Sequence, residues 1–159
     1  MSAPETNEEA SNTATQLFAD GYFCAESALL AIAKNQGLDS PLLPKMATGF
    51  CSGMARTCGT CGALTGAMMG GSLALGRSQT GESVEPCYTA IQQLIQGFED
   101  RFGSRDCQTL LDGCDLNTPA GQAMFKQQQL GQRCREITGK TTELAINVIA
   151  RSKATDQGA

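Results

Sequence analysis

Histidine is absent from the 159 residues, and its absence removes several chemistries at once. There is no Ser-His-Asp or Cys-His nucleophile pair, no His-ligated zinc finger, no H-E-x-x-H metalloprotease and no C-x-x-C-H haem attachment site. A basic excess is missing too. Twelve Lys and Arg stand against sixteen Asp and Glu, a net charge of −4, which argues against nucleic acid, whose phosphates require a basic patch. The longest nearly uncharged apolar stretch, Ala63 to Leu75, is broken by Gly66, Gly70 and Gly71. It falls short of the ~20 residues that span a bilayer, so no membrane span is expected. Met1 to Glu9 has neither a basic n-region nor an apolar h-region, so no secretory signal is expected either.

The β-branched alternation of a strand is also lacking, as are an internal repeat and a long linker. What remains has helical period. Segments are expected over about 8–19, 23–36, 43–54, 60–76 and 83–102, then a short element at 107–112, and two more over 119–130 and 132–152. The clearest is the fifth, where Val84, Cys87, Ile91, Leu94, Ile95, Phe98 and Phe102 form one apolar stripe. Thr118-Pro119 has the form of an N-cap followed by Pro at the first helical position, and Gly139 is a weak point in the last helix. The expected fold is all-α: a single-domain helical bundle of about six to eight helices over 7–152, with flexible tails at 1–6 and 153–159. A chain of this length buries a core without disulfides.

Cysteine is abundant, with eight residues. In a cytoplasmic protein, the expected location, thiols stay reduced and clustered Cys points to metal or redox work. Cys58-Gly-Thr-Cys61 is a C-x-x-C at the start of the fourth helix. With Thr60 as N-cap, Cys61 takes the first helical position, where the helix dipole favours a thiolate. Redox dithiols, zinc sites and iron–sulfur sites all use this spacing, but the βαβ context of a thioredoxin is missing. Cys51 lies two helical turns earlier, as a further ligand or a small core residue. Gly62, Gly66 and Gly70 recur every four residues, which suits tight helix packing or a cofactor resting on Gly62 and Gly66. Cys87 sits on the core stripe and reads as an inert buried thiol. Cys24 and Cys134 face inward, and Cys107 and Cys114 flank Leu110 and Leu111 on one side of two turns if that stretch is helical. Glu26, Asp106, Arg56, Arg105, Arg133 and Arg135 lie near the cysteines in sequence and read as solvated charges. No carboxylate pair has the spacing of a general acid and base.

Cys24 in FCAESALLAIA, Cys61 in TCGALTGA, Cys107 in DCQTLLDGCDLNTPAG and Cys134 in RCREIT, together with the segment GFCSGMART, resemble the redox-active C_GCAxxG_C_C family. That family is marked by four separated cysteines, the second within C-G-A-x-x-G, here Cys61-Gly62-Ala63-Leu64-Thr65-Gly66. The similarity runs from about 15 to 150. It implies a small helical protein with a redox or metal role, related to the cysteine-bearing part of split-Soret cytochromes, where an iron–sulfur centre is inferred. The positions carried over are Cys24, Cys61, Cys107 and Cys134. The chain departs from the family in four further cysteines, and it has no haem-binding sequence.

The leading expectation is a cytoplasmic redox protein that holds an iron–sulfur cluster for electron transfer. Its metal ligands would be Cys24, Cys61, Cys107 and Cys134, with Cys51, Cys58 and Cys114 as further candidates. One alternative is a cluster-free thiol–disulfide or sulfur-transfer protein in which Cys58 and Cys61 are the catalytic dithiol. Another is a Cys-based module for Zn²⁺ or Cu(I). A redox partner protein is implied; a homodimer is open, and so is whether any substrate is turned over.

Overall fold

Helix α1 (Asn7–Ala19) begins where the sequence supplies a capping box. The Thr6 hydroxyl accepts from the Glu9 N–H at 3.2 Å, and the Glu9 carboxylate accepts from the Thr6 N–H at 2.6 Å. These bonds satisfy donors that a helix start leaves unpaired. The computed structural model describes residues 5–157, and the remaining right-handed helices among them are α2 (Cys24–Asn35), α3 (Leu42–Thr48), α4 (Gly62–Leu75), α5 (Glu85–Phe102), α6 (Cys107–Leu110), α7 (Pro119–Gln127) and α8 (Leu130–Gln157). No strand occurs among the described residues; Thr60 and Asp106 form an isolated antiparallel bridge. The fold is a single-domain all-α bundle, as expected. None of these helices is long and apolar enough to cross a membrane.

Helix α8 is the spine of the bundle, with α1, α2, α4 and α5 packed along it. Its inward face carries Ile137, Ala145, Ile146, Val148 and Ile149, all buried. The buried hydroxyls of Thr138, Thr141 and Thr142 turn back to carbonyls one turn earlier, at 2.6 to 2.9 Å, so none is left unpaired. Gly139 does not weaken this helix. It lets α1 approach, since a Cβ there would lie 2.6 Å from Thr15 Cγ2. The four-residue glycine spacing on α4 does the same for α2: a Cβ on Gly66 would lie 2.8 Å from Ala25 Cα, and one on Gly70 2.7 Å from Ile32 Cγ2. Beside this main core a smaller one gathers Cys107, Leu111, Cys114 and Leu130.

Several boundaries differ from expectation. The third helix does not run to Met54. Helix α3 ends at Thr48, and from Ser52 to Arg56 the backbone is left-handed, with φ between 57° and 67°. Such a turn costs about 1–2 kcal/mol for each non-glycine residue. Gly53, its second residue, lies against Cys107, whose Cβ would be 2.6 Å from a Cβ on that glycine. The Gly53 carbonyl accepts from the N–H groups of Thr57 and Gly59 at 3.3 and 2.9 Å. Tertiary packing and these bonds hold a conformation that periodicity does not reveal. Helix α6 is a single turn, because Asp112 and Gly113 are left-handed. Helix α8 continues past Ser152 to Gln157, since 151–157 contains no Gly or Pro to end it. Positions 153–157, expected in a tail, are therefore helical, and Thr6 caps α1; 1–4 and 158–159 lie outside the described residues. On α5 Leu94 and Phe98 are buried as expected, whereas Cys87 is half-buried, its thiol donating to Ser72 Oγ at 3.7 Å.

Candidate functional site

Four cysteines reach one place by four local devices. Glu26 fixes the start of α2: its carboxylate accepts from the Phe23 N–H at 3.0 Å and from the Thr48 hydroxyl at 2.8 Å. That sets Cys24 as the first helical residue. Cys61 is the N-cap of α4, not its first residue, so the cap lies one position later than Thr60. Its N–H donates to the Arg105 carbonyl at 2.8 Å, and the Cys107 N–H donates to the Gly59 carbonyl at 2.9 Å. This short antiparallel pairing lays the C-x-x-C beside Cys107. Asp106 caps α6, accepting from the Thr109 N–H at 2.8 Å. Cys134 rides on α8, where the neighbouring Arg133 guanidinium donates to the Leu110 carbonyl at 3.0 Å and to Asp112 at 2.8 Å.

Cys24, Cys61, Cys107 and Cys134 line a single cavity of about 390 Å³, together with Gly62. A Cβ on Gly62 would collide with Cys24 Sγ, so only glycine leaves that sulfur its place. Gly66, by contrast, is occupied with helix packing and does not line the cavity. The walls are mostly apolar, with Phe18, Phe23, Phe125 and Ile137 prominent, and the charged side chains lining it are Arg56 and Lys126. Residues 22–148, a span containing all eight cysteines, match the family model described as "Putative redox-active protein (C_GCAxxG_C_C)". The chain belongs to this family. No match was found among curated proteins or among solved structures.

The four cysteines by which this C_GCAxxG_C_C chain resembles its family are thus the four that line the cavity, and the other four do not line it. The Cys58 thiol donates to Asp115 Oδ1 at 3.4 Å, and that of Cys114 to the Gly121 carbonyl at 3.1 Å. Cys51 is buried near Cys24, with its thiol donating to the Ala47 carbonyl at 3.7 Å. Although only two residues separate Cys58 from Cys61, one faces a carboxylate and the other the cavity.

Burial pushes the Cys61 thiol up to about 12, with the thiols of Cys107 and Cys134 adding to the effect and the Ala63 and Leu64 N–H groups opposing it. Cys134 is pushed up to about 12 and Cys107 to about 11, in both cases chiefly by burial. The helix start therefore does not lower the Cys61 pKa as expected, because the loss of solvent outweighs two backbone donors. Cys58 is also raised, first by burial and then by Asp115. No three Cys, Asp or Glu side chains among the described residues are gathered as the shell of a single ion. A tetrahedral ion with sulfurs at ~2.3 Å would require them about 4 Å apart.

Arg56 reads from sequence as a solvated charge; it is exposed, yet it borders the cavity because the left-handed turn brings it there. Phe18, Phe125 and Lys126 are separated in sequence from the cavity cysteines and have no spacing signal that would reveal them, whereas Phe23 directly precedes Cys24. Glu26 and Asp106 are helix caps, which their positions two residues after and one residue before a cysteine conceal.

Proposed function

We propose that the protein holds an iron–sulfur cluster in this cavity, with Cys24, Cys61, Cys107 and Cys134 as its ligands, and that it carries electrons in a thiol-reducing compartment such as the cytoplasm. One observation carries the reading: four cysteines from separate parts of the chain line one cavity of about 390 Å³. Clusters take four Cys thiolates, each on a metal corner of its own, and so hold the sulfurs farther apart than a single ion does. That suits sulfurs spread around a cavity wall better than it suits a lone Zn²⁺ or Cu(I). Bound there, a cluster would supply a one-electron couple whose potential depends on charge, hydrogen bonding and exposure.

The chain's own groups fit such an occupant. Arg56 and Lys126 bring positive charge to a cavity that four thiolates would make negative. Cys61 caps α4, and the unpaired N–H donors at a helix start favour anionic sulfur. Apolar walls exclude water. The family's redox description agrees with this chemistry. A dithiol reading draws on the spacing of Cys58 and Cys61 alone, and the two thiols have different surroundings.

The test is iron and acid-labile sulfide content, with a visible spectrum, on protein purified without oxygen. We expect iron with matching sulfide and a band that dithionite bleaches. Cys24→Ser, Cys61→Ser, Cys107→Ser and Cys134→Ser should each lower the iron content, and Cys87→Ser should leave it unchanged. Zinc or copper without sulfide, or a colourless metal-free protein, would overturn the reading.

A further inference from the structure

Cys51 takes no part in the proposed ligand set, yet it is not placed as an isolated core thiol. The start of α4 brings it to Cys24. A single point above Gly62, where a Cβ would stand, is in collision with Cys24 Sγ and 3.2 Å from Cys51 Cα. The two residues thus meet over Gly62, the first residue of α4, which has no side chain. Both belong to the main core, Cys24 at 9% exposure and Cys51 at 4%. Their access differs. Cys24 lines the cavity, whereas Cys51 does not.

We propose that Cys24 and Cys51 form a hydroperoxide-responsive pair, in which Cys24 is oxidised from the cavity and Cys51 resolves it to a disulfide. In the first step the Cys24 sulfur attacks one peroxide oxygen; an S–O bond forms, the O–O bond breaks, and water leaves after taking the thiol proton. Cys24 is then a sulfenic acid, oxidised by two electrons. In the second step the Cys51 sulfur attacks the Cys24 sulfur, an S–S bond forms, the S–O bond breaks, and the hydroxide departs as water with the Cys51 proton. Two thiols and one hydroperoxide of hydrogen give one disulfide and two waters. This difference in access suits the two roles. The peroxide is small enough to enter the cavity, and the resolving thiol is already beside its target. If Cys24 is a ligand, as the proposed function has it, the disulfide removes one corner of the site and a thiol reductant restores it.

The experiment uses the full chain, purified without oxygen and treated with hydrogen peroxide, then alkylated and digested with trypsin. Cys24 falls in the fragment 1–34 and Cys51 in 46–56, while Cys58 and Cys61 share 57–77. We expect fragments 1–34 and 46–56 joined by a disulfide that dithiothreitol reverses. In Cys51→Ala, dimedone should trap the Cys24 sulfenic acid about tenfold more than in the unaltered protein, because the resolving thiol is gone. Iron and sulfide content before peroxide should be the same in Cys51→Ala as in the unaltered protein. A link from Cys24 to Cys61, free Cys51 while Cys24 proceeds to sulfinic acid, or loss of iron in Cys51→Ala would overturn the proposal. Failure of the cluster reading is seen separately, since metal-free protein that still forms the 1–34 to 46–56 link retains the pair without the iron.

Discussion

Ser27 shows how closely the region behind the site is packed. Its hydroxyl is fully buried on α2 and finds no hydrogen-bond partner, the one side chain of that helix whose polarity serves no local bond. An unpaired buried hydroxyl costs about 1–3 kcal/mol. Ser27→Ala should therefore stabilise the protein by about 1 kcal/mol and raise the thermal midpoint by roughly 2–4 °C, which calorimetry checks. A midpoint that falls would mean that the hydroxyl has a partner in solution. Residues of this kind set the limit of what a sequence discloses. Cys24, Cys61, Cys107 and Cys134 are legible through their motifs, because each keeps its own short signature. Arg56 and Lys126 are not, since a charge acquires its meaning here only from a cavity wall assembled by distant segments. Cys51 is legible as a cysteine and illegible as a neighbour of Cys24, for that contact depends on a glycine in a third segment.

At the scale of elements, the period and the punctuation of the chain locate α1, α2, α5 and α7 to within a residue or a few. Thr118 and Pro119 mark the start of α7, and the Thr118 hydroxyl accepts from the Gly121 N–H at 2.9 Å. What the period misses is the left-handed turn at 52–56, where three of the five residues are neither glycine, asparagine nor aspartate nor serine and so carry no signal for it. The glycines of α4 carry the opposite lesson. Their spacing announces close approach, and the approach is to α2. Gly66→Ala should gain about 1 kcal/mol of helix propensity and lose more, because the new methyl meets the Ala25 backbone, which has no flexible end to move aside. Overpacking of this sort costs about 1–3 kcal/mol. The urea midpoint should fall with little change in slope, and a midpoint that rises would show that α2 can retreat.

For the molecule as a whole, the candidate site joins two cores. Cys24 and Cys61 belong to the main bundle, Cys107 to the smaller core around α6 and α7, and Cys134 to the spine between them. With a metal centre bound, the small core is tied to the large one; without it, the segment is held by local packing, the backbone bonds that pair Cys61 with Arg105 and Cys107 with Gly59, and the Arg133 contacts to Leu110 and Asp112. With the proposed centre as the tie, hydrogen exchange after treatment with a chelator should accelerate at 50–61 and 104–128, while amides in α1, α2 and the inner half of α8 stay protected. Acceleration spread evenly over the chain would show a single cooperative unit instead. The all-helical class and the single domain are readable from period and length, whereas the division into two cores is not, because the apolar residues of 107–130 carry no label saying which neighbour they choose.

The distance along the chain between the four cavity cysteines has a consequence in time. Contacts between residues far apart in sequence form late, because the intervening chain must first be ordered. A site that draws on position 24 and on position 134 is closed only when the first helices and the last have already met. Every slower step of folding precedes it, so arrival of the metal centre would act as a signal of completion, and a chain that stalled on the way would be left with its sulfurs apart and nothing to hold.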